Sequence, residues 1–230
     1  MTRKQALQFV AIRSLGNFLV LFALYGVFAT FGPALSYELQ YRIIQIRGVK
    51  FEVAKEPQVQ QTAQAPREEG GFAQVLSGNK DQILIPKDAN FSISIPKIGA
   101  SAKIFPNVDP ANPNAFLPVL QKGIAHAKGS VFPGMAGNVY LFAHSTDNWW
   151  NVGRYNAVFY LLQHLTRGDE VVVFFEGKRY EYVVSQTVIS DPNDVSLLTQ
   201  AHGGEPKLVL QTCWPPGTTW KRLYVIATPK

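Results

Sequence analysis

Residues 207–228 read KLVLQTCWPPGTTWKRLYVIAT. Two apolar runs, Lys207 to Thr212 and Arg222 to Thr228, flank a loop punctuated by Pro215, Pro216 and Gly217. This pattern predicts two strands paired through the loop. Pairing sets Cys213 at the end of the first strand. Arg222, nine residues on, opens the second and faces Cys213 across the loop's mouth. Lys221 lies one step along and so points to the opposite face. Cys213 is the sole cysteine, which excludes an internal disulfide and a Cys-rich zinc site. Two readings remain for it. One is a buried apolar residue, the commonest fate of a free cysteine. The other is a nucleophile, which attacks as thiolate and needs a nearby cation or base. Arg222 is either a solvated strand-end charge or the group that steadies a thiolate or an oxyanion.

Working outward, more short strands appear. Phe91 to Pro96 (FSISIP) alternates apolar and polar residues, and Asn138 to Ala143 (NVYLFA) is a short apolar run after Gly137. Glu170 to Phe175 and Arg179 to Ser185 flank Glu176-Gly177-Lys178, a hairpin signal. Many short strands with Gly/Pro punctuation predict a mainly β fold, a closed antiparallel barrel of about eight strands or a sandwich. One helix is expected, Asn156 to Thr166, stopped by Arg167 and Gly168. His144 ends the strand NVYLFA, again where a strand opens into a loop. An imidazole titrates near neutrality and serves as general acid and base. Of the other histidines, His164 lies in the expected helix and His202 in a loop, while His126 precedes the His144 strand and could line the same cleft.

The N-terminal part reads differently. Ser14 to Tyr37 is a run of 24 residues without a charge, bracketed by Arg13 and Glu38. As a helix it is long enough for a hydrocarbon core of about 30 Å. A cleaved signal peptide has a shorter apolar core, although Ala29, Gly32 and Ala34 offer a weak cleavage site. Arg3, Lys4 and Arg13 precede the run, and Arg42 and Arg47 follow it. This slight excess favours an internal N-terminus and an external C-terminal domain. The expected organisation is therefore 1–13 cytoplasmic, 14–37 a membrane-spanning anchor, 38–80 a spacer and 81–230 the β domain. The spacer rests on KEPQVQQTAQAPREEGG, residues 55–71, which lacks the apolar residues that offset ordering entropy. The chain has 47% hydrophobic residues and a formal charge of +6. Its basic residues form no dense run, which argues against nucleic acid as a partner.

LVLQTC followed by Trp214-Pro215 and then Arg222 resembles the sortase signature, in which a Thr-Cys pair ends one strand and an arginine opens the next. GIAHAKGSVFPGMAGNVYLFAHS, residues 123–145, resembles that family's approach to its catalytic histidine. RGDEVVV, DPNDVSLL and the last strand are also similar, so the resemblance covers residues 90–230. It implies a sortase-type β-barrel and a membrane-anchored cysteine transpeptidase without cofactor or metal. It also implies Cys213 as nucleophile, His144 as general acid/base and Arg222 as stabiliser of the oxyanion or substrate. Thr212 matches the residue before the cysteine, the backbone N–H of Trp214 an oxyanion donor, and His126 a second family histidine that is not catalytic. The implied partners are surface proteins with a C-terminal sorting motif, of the Leu-Pro-x-Thr-Gly kind, and an amine acceptor. The implied place is the cell membrane, single-pass, with the catalytic domain outside. Val209 departs from the commonest signature and leaves the subclass open. Asp147 to Leu165, with Trp149-Trp150, is either a wall of the substrate groove or an apolar surface patch. Two rival functions stay open: a cysteine peptidase that releases its acyl group to water, and a non-enzymatic tethered surface protein.

Overall fold

In the computed structural model, residues 2–54, 81–145, 159–216 and 218–230 are described. Most of the expected spacer, Trp149-Trp150, the start of the Asn156–Thr166 helix and Gly217 lie outside these residues.

The uncharged run lies within one long helix, α1, Arg3–Arg47. Its first turn is closed by a capping box: Thr2 accepts from the Gln5 backbone and the Gln5 side chain accepts from Thr2 N–H. Gly48, at φ 64°, ends it in the left-handed conformation that glycine adopts without strain. Along Arg3–Phe28 the helix is long and apolar enough to cross a membrane, and its apolar window contains no buried residue. Leu15, Phe18, Leu19 and Phe22 all point outward. An apolar surface of this kind needs lipid or a partner to cover it. The stretch from Glu38, read by composition as the start of a spacer, continues α1 to Arg47. It then forms strand β1, Lys50–Val53, paired in parallel with β2, Asp81–Leu84.

Eight strands form the rest of the sheet structure: β3 Phe91–Ile95, β4 Ala100–Val108, β5 Ile124–Ala127, β6 Asn138–Phe142, β7 Glu170–Phe175, β8 Lys178–Ser190, β9 Lys207–Trp214 and β10 Lys221–Pro229. They close into a barrel in the order β10-β8-β7-β3-β4-β5-β6-β9. Closure leaves no exposed edge within the ring. The expected closed barrel is present, but it is mixed rather than wholly antiparallel: β4–β5 and β6–β9 run parallel. Each parallel pairing needs a crossover. Helix α2, Pro113–Leu120, lies on the first, and the second spans the whole chain between β6 and β9.

Ile93, Ile95, Ile104, Leu141, Leu208 and Leu210 are almost fully buried in one contiguous core. Burial of each such side chain stabilises the fold by about 1.5–3 kcal/mol. The helix expected over Asn156–Thr166 is, in its described part, a single 3-10 turn, Tyr160–His164. Phe159, Leu161, Leu162 and Leu165 are all buried, and the spacing of Phe159, Leu162 and Leu165 fits the 3-10 period.

Candidate active site

The antiparallel register of β9 and β10 places Arg222 directly opposite Cys213. Directly opposed residues share a face of the sheet. The Arg222 guanidinium donates to Cys213 Sγ at 3.7 Å. The same Nη1 also donates to the carbonyls of Thr219 and Lys221, both at 3.2 Å, so the group is held at the loop's mouth by backbone as well as by sulfur. Cys213 is half-buried. Burial pushes its thiol above the ordinary range, and the positive charge of Arg222 pulls against that. Burial thus favours the thiol form and the guanidinium opposes it.

His144 arrives from the other side of β9. Strand β6 runs parallel to β9 with Leu141 beside Leu210 and Phe142 beside Gln211. The pairing continues past the strand's end. Ala143 N–H donates to the Gln211 carbonyl at 3.2 Å, and the buried Thr212 hydroxyl donates to the Ala143 carbonyl at 3.0 Å. The paired register itself ends at Phe142 and Gln211, and His144 follows two residues on, at the rim where β9 ends in Cys213 and Trp214. The parallel pairing is the essential feature, because it brings the C-terminal ends of β6 and β9 to one rim.

The other expected positions divide. Thr212 is buried and fastens the backbone beside His144. Trp214 ends β9 opposite Lys221 and packs its half-buried ring against the core. His126 does not reach the rim. It is fully buried on β5, Nδ1 accepts from Asn107 N–H at 3.3 Å, and Nε2 lies 3.0 Å from the Val131 carbonyl and 2.9 Å from Ser130 Oγ. Its ring stacks on Phe132. Burial holds its pKa below the usual value, only partly offset by the Val131 bond, so it is a neutral structural imidazole. His164 bonds Glu38 at 2.9 Å and stacks on Tyr41. His202 is exposed and forms an isolated bridge with Gly137. Among the described residues, no cluster of three or more His, Cys, Asp or Glu could hold a metal ion.

Three residues that sequence reading passed over share the face of Cys213. Gln211 lies two residues before it on β9, Tyr224 opposes Gln211 on β10, and Tyr140 lies on β6. The Tyr140 hydroxyl donates to Gln211 Oε1 at 3.5 Å, the two tyrosine rings meet edge to face, and the Tyr224 hydroxyl donates to the Asp194 carbonyl. This aromatic and polar floor adjoins the Cys213–Arg222 pair. Stepping by twos along each strand, back from Cys213 to Gln211 and from His144 to Tyr140 and forward from Arg222 to Tyr224, would have found it, because alternate residues share a face.

Residues 93–230 match the family model of the sortase domain. The chain is 29% identical over 123 residues to sortase D of Bacillus subtilis (strain 168), which covers 54% of this chain and 53% of that protein. It therefore spans about half the length of this curated relative. Among solved structures, sortase C1 of Streptococcus agalactiae is 29% identical with a TM-score of 0.51, over 65% of this chain and 72% of that one. A lid mutant of sortase A from Corynebacterium diphtheriae shares the fold more extensively, over 84% of this chain and 93% of that one, at 20% identity and a TM-score of 0.51.

Proposed function

Because the chain belongs to the sortase family, we propose that it is a membrane-anchored cysteine transpeptidase in which Cys213 is the nucleophile, His144 the general acid and base, and Arg222 the stabiliser of the oxyanion. The observation that carries this reading is the guanidinium of Arg222 at 3.7 Å from the sulfur, at a rim that β6 and β9 reach together.

In the reaction, the proton of Cys213 passes to His144 and the thiolate attacks a backbone carbonyl of a sorting motif near the C-terminus of a surface protein. The carbonyl oxygen takes up negative charge, which Arg222 and the N–H of Trp214 stabilise as it develops. Collapse breaks the C–N bond, His144 returns its proton to the departing amine, and a thioacyl enzyme remains. A second amine, deprotonated by His144, attacks the thioester carbonyl. The new amide leaves and the thiol is restored. Thr212 holds the backbone beside His144, and the floor of Tyr140, Gln211 and Tyr224 lies under the acyl segment. The uncharged run of α1 crosses the cell membrane once and sets the barrel on its outer side.

The test is product analysis with the full chain in detergent or vesicles, a peptide carrying a Leu-Pro-x-Thr-Gly-type motif, and a graded amount of an amine such as triglycine. The expected outcome is a thioacyl adduct on Cys213 and an amide product that grows with amine at the expense of hydrolysis. A product ratio indifferent to amine would make the enzyme a peptidase.

A further inference from the structure

The sequence suggests a barrel hanging from its anchor by a flexible spacer. The contacts of Glu38 to Ala54 suggest something else. Glu38, Tyr41 and Gln45 are spaced three and four residues apart, and so lie on one face of α1. All three meet the barrel. Glu38 Oε2 lies 2.9 Å from His164 Nε2. The Tyr41 ring stacks on the His164 ring, with centroids 4.1 Å apart and planes 15° from parallel. Gln45 Nε2 donates to the Lys97 carbonyl at 3.5 Å. Tyr41 is also packed against the main core. The chain then stays on the barrel. Phe51 of β1 lies against Gly99, where an added Cβ would come within 2.8 Å of its ring. Val53 packs with Val172 and Phe174 of β7. Arg179 of β8 donates to the carbonyls of Val53 and Ala54, at 3.2 and 2.8 Å.

We infer that the barrel is docked on the outer end of its own membrane-spanning helix, through the Glu38–Tyr41–Gln45 face and the 3-10 turn Tyr160–His164, and is held at the bilayer surface. This rests on the reading of Ser14–Tyr37 as the span. Its distance from the bilayer follows from helix geometry. Glu38 is the first charged residue after the span, and Gln45 is seven residues further along a continuous helix, or about 10 Å at 1.5 Å per residue. His164 therefore sits at the level of the headgroups and Lys97 about 10 Å above it. A flexible tether of 43 residues, the length of 38–80, would instead let the domain wander over several tens of Å. The 3-10 turn lies on the same β6–β7 connection as His144.

The lone cysteine makes this testable. In the full chain carrying Cys213→Ala, Gln45→Cys and Lys97→Cys are introduced together, with a specific protease site placed within residues 55–80. The protein is reconstituted into phospholipid vesicles, treated with a short bismaleimide, cleaved and run under denaturing conditions. Docking predicts that most of the two fragments remain joined, at least fivefold above either single-cysteine chain. Joining no greater than in the single-cysteine chains would overturn it. Carbonate extraction of the same vesicles separates the two premises. A chain that stays in the pellet without cross-linking is anchored but not docked. A chain released to the supernatant has no spanning anchor, and docking at the bilayer falls with it. A second readout uses a fluorescent label on Lys97→Cys alone, also with Cys213→Ala. Quenching by headgroup-labelled lipid should exceed that of the same label on Lys128→Cys, and equal quenching at both sites would count against a fixed height.

Discussion

His126 on β5 and His144 just beyond β6 stand on neighbouring strands, and their surroundings differ at every point. His126 lies inside the barrel wall, with both ring nitrogens bonded and an aromatic ring stacked on it. It is opposite Leu141 in the β5–β6 pairing. His144 lies where β6 has ended, next to Ala143, whose N–H bonds the Gln211 carbonyl and whose carbonyl accepts from Thr212 of β9. The contrast teaches that a barrel makes chemistry at its rim and rigidity in its wall. The wall histidine has both ring nitrogens held by Asn107, Ser130 and Val131, whereas the proposed role of His144 as acid and base requires a proton that can leave. Cys213 and Arg222 occupy the same rim, and Thr212, one residue away, belongs to the wall.

The comparison is sharpest at Cys213. Cys213→Ala is expected to abolish the thioacyl adduct and reduce turnover by more than about 10⁴-fold, or about 5.5 kcal/mol of barrier, with no loss of thermal stability. Mass spectrometry after peptide addition reads the first and calorimetry the second. An active alanine variant would remove the cysteine mechanism altogether. Arg222→Lys comes next, with a loss of about 10²-fold in kcat/KM, because an ammonium does not reproduce the directional fork of a guanidinium. Arg222→Gln adds a test of electrostatics. Since the arginine pulls down a thiol that burial pushes up, removing its charge moves the thiol pKa further up. The pH midpoint of iodoacetamide labelling should therefore rise in Arg222→Gln, and an unchanged midpoint would show that the 3.7 Å contact carries no charge effect.

How much of this could be read in advance depended on whether the signal was local. Glu170–Phe175 is a strand with the expected bounds, and the Lys207–Thr212 and Arg222–Thr228 runs pair as expected through their loop, because alternation and turn residues are local signals. β4 was missed: ASAKIFPNV mixes polar residues with Pro106 and matches no simple period. The parallel pairing of β6 with β9 is invisible in the sequence, since the whole β6-to-β9 connection intervenes and no turn marks it. Without that pairing nothing but resemblance brings the end of β6 to the rim that carries Cys213. The charged residues Glu38 and Arg42 resemble the end of an anchor, yet they form an i,i+4 pair within a continuing helix whose partner on the barrel, His164, is 126 residues away. His126 was expected to be non-catalytic but able to line the cleft; its burial in the wall is a tertiary property that no window around the residue contains.

A smaller effect is expected at the junction of wall and rim. Thr212→Val keeps the shape but leaves the Ala143 carbonyl without its hydroxyl donor. The loss of one buried hydrogen bond is worth about 1–1.5 kcal/mol, and here it loosens the backbone that carries His144. The expected result is about a tenfold fall in kcat with KM nearly unchanged and recovery in Thr212→Ser. A fall in stability alone, with kcat intact, would place Thr212 wholly in the wall.

The least effect on activity is expected from the wall histidine. His126→Phe preserves the aromatic stack but leaves Asn107 N–H and the Val131 carbonyl unsatisfied, at a cost of about 2–3 kcal/mol in stability. Activity per folded molecule should stay within about twofold. The pH dependence gives the decisive sign. Burial depresses the folded-state pKa of His126, so the unfolded chain takes up a proton near its ordinary value of about 6.5 while the folded chain does not. The unfolded state therefore binds more protons below about pH 6.5, and stability falls as the pH drops from there toward the folded-state pKa. His126→Phe removes this uptake, so its Tm should decline less steeply than that of the parent between about pH 7 and pH 5. Parallel curves for the two proteins would mean that His126 does not resist protonation in the fold, and the division between a neutral wall histidine and a working rim histidine would have to rest on position alone.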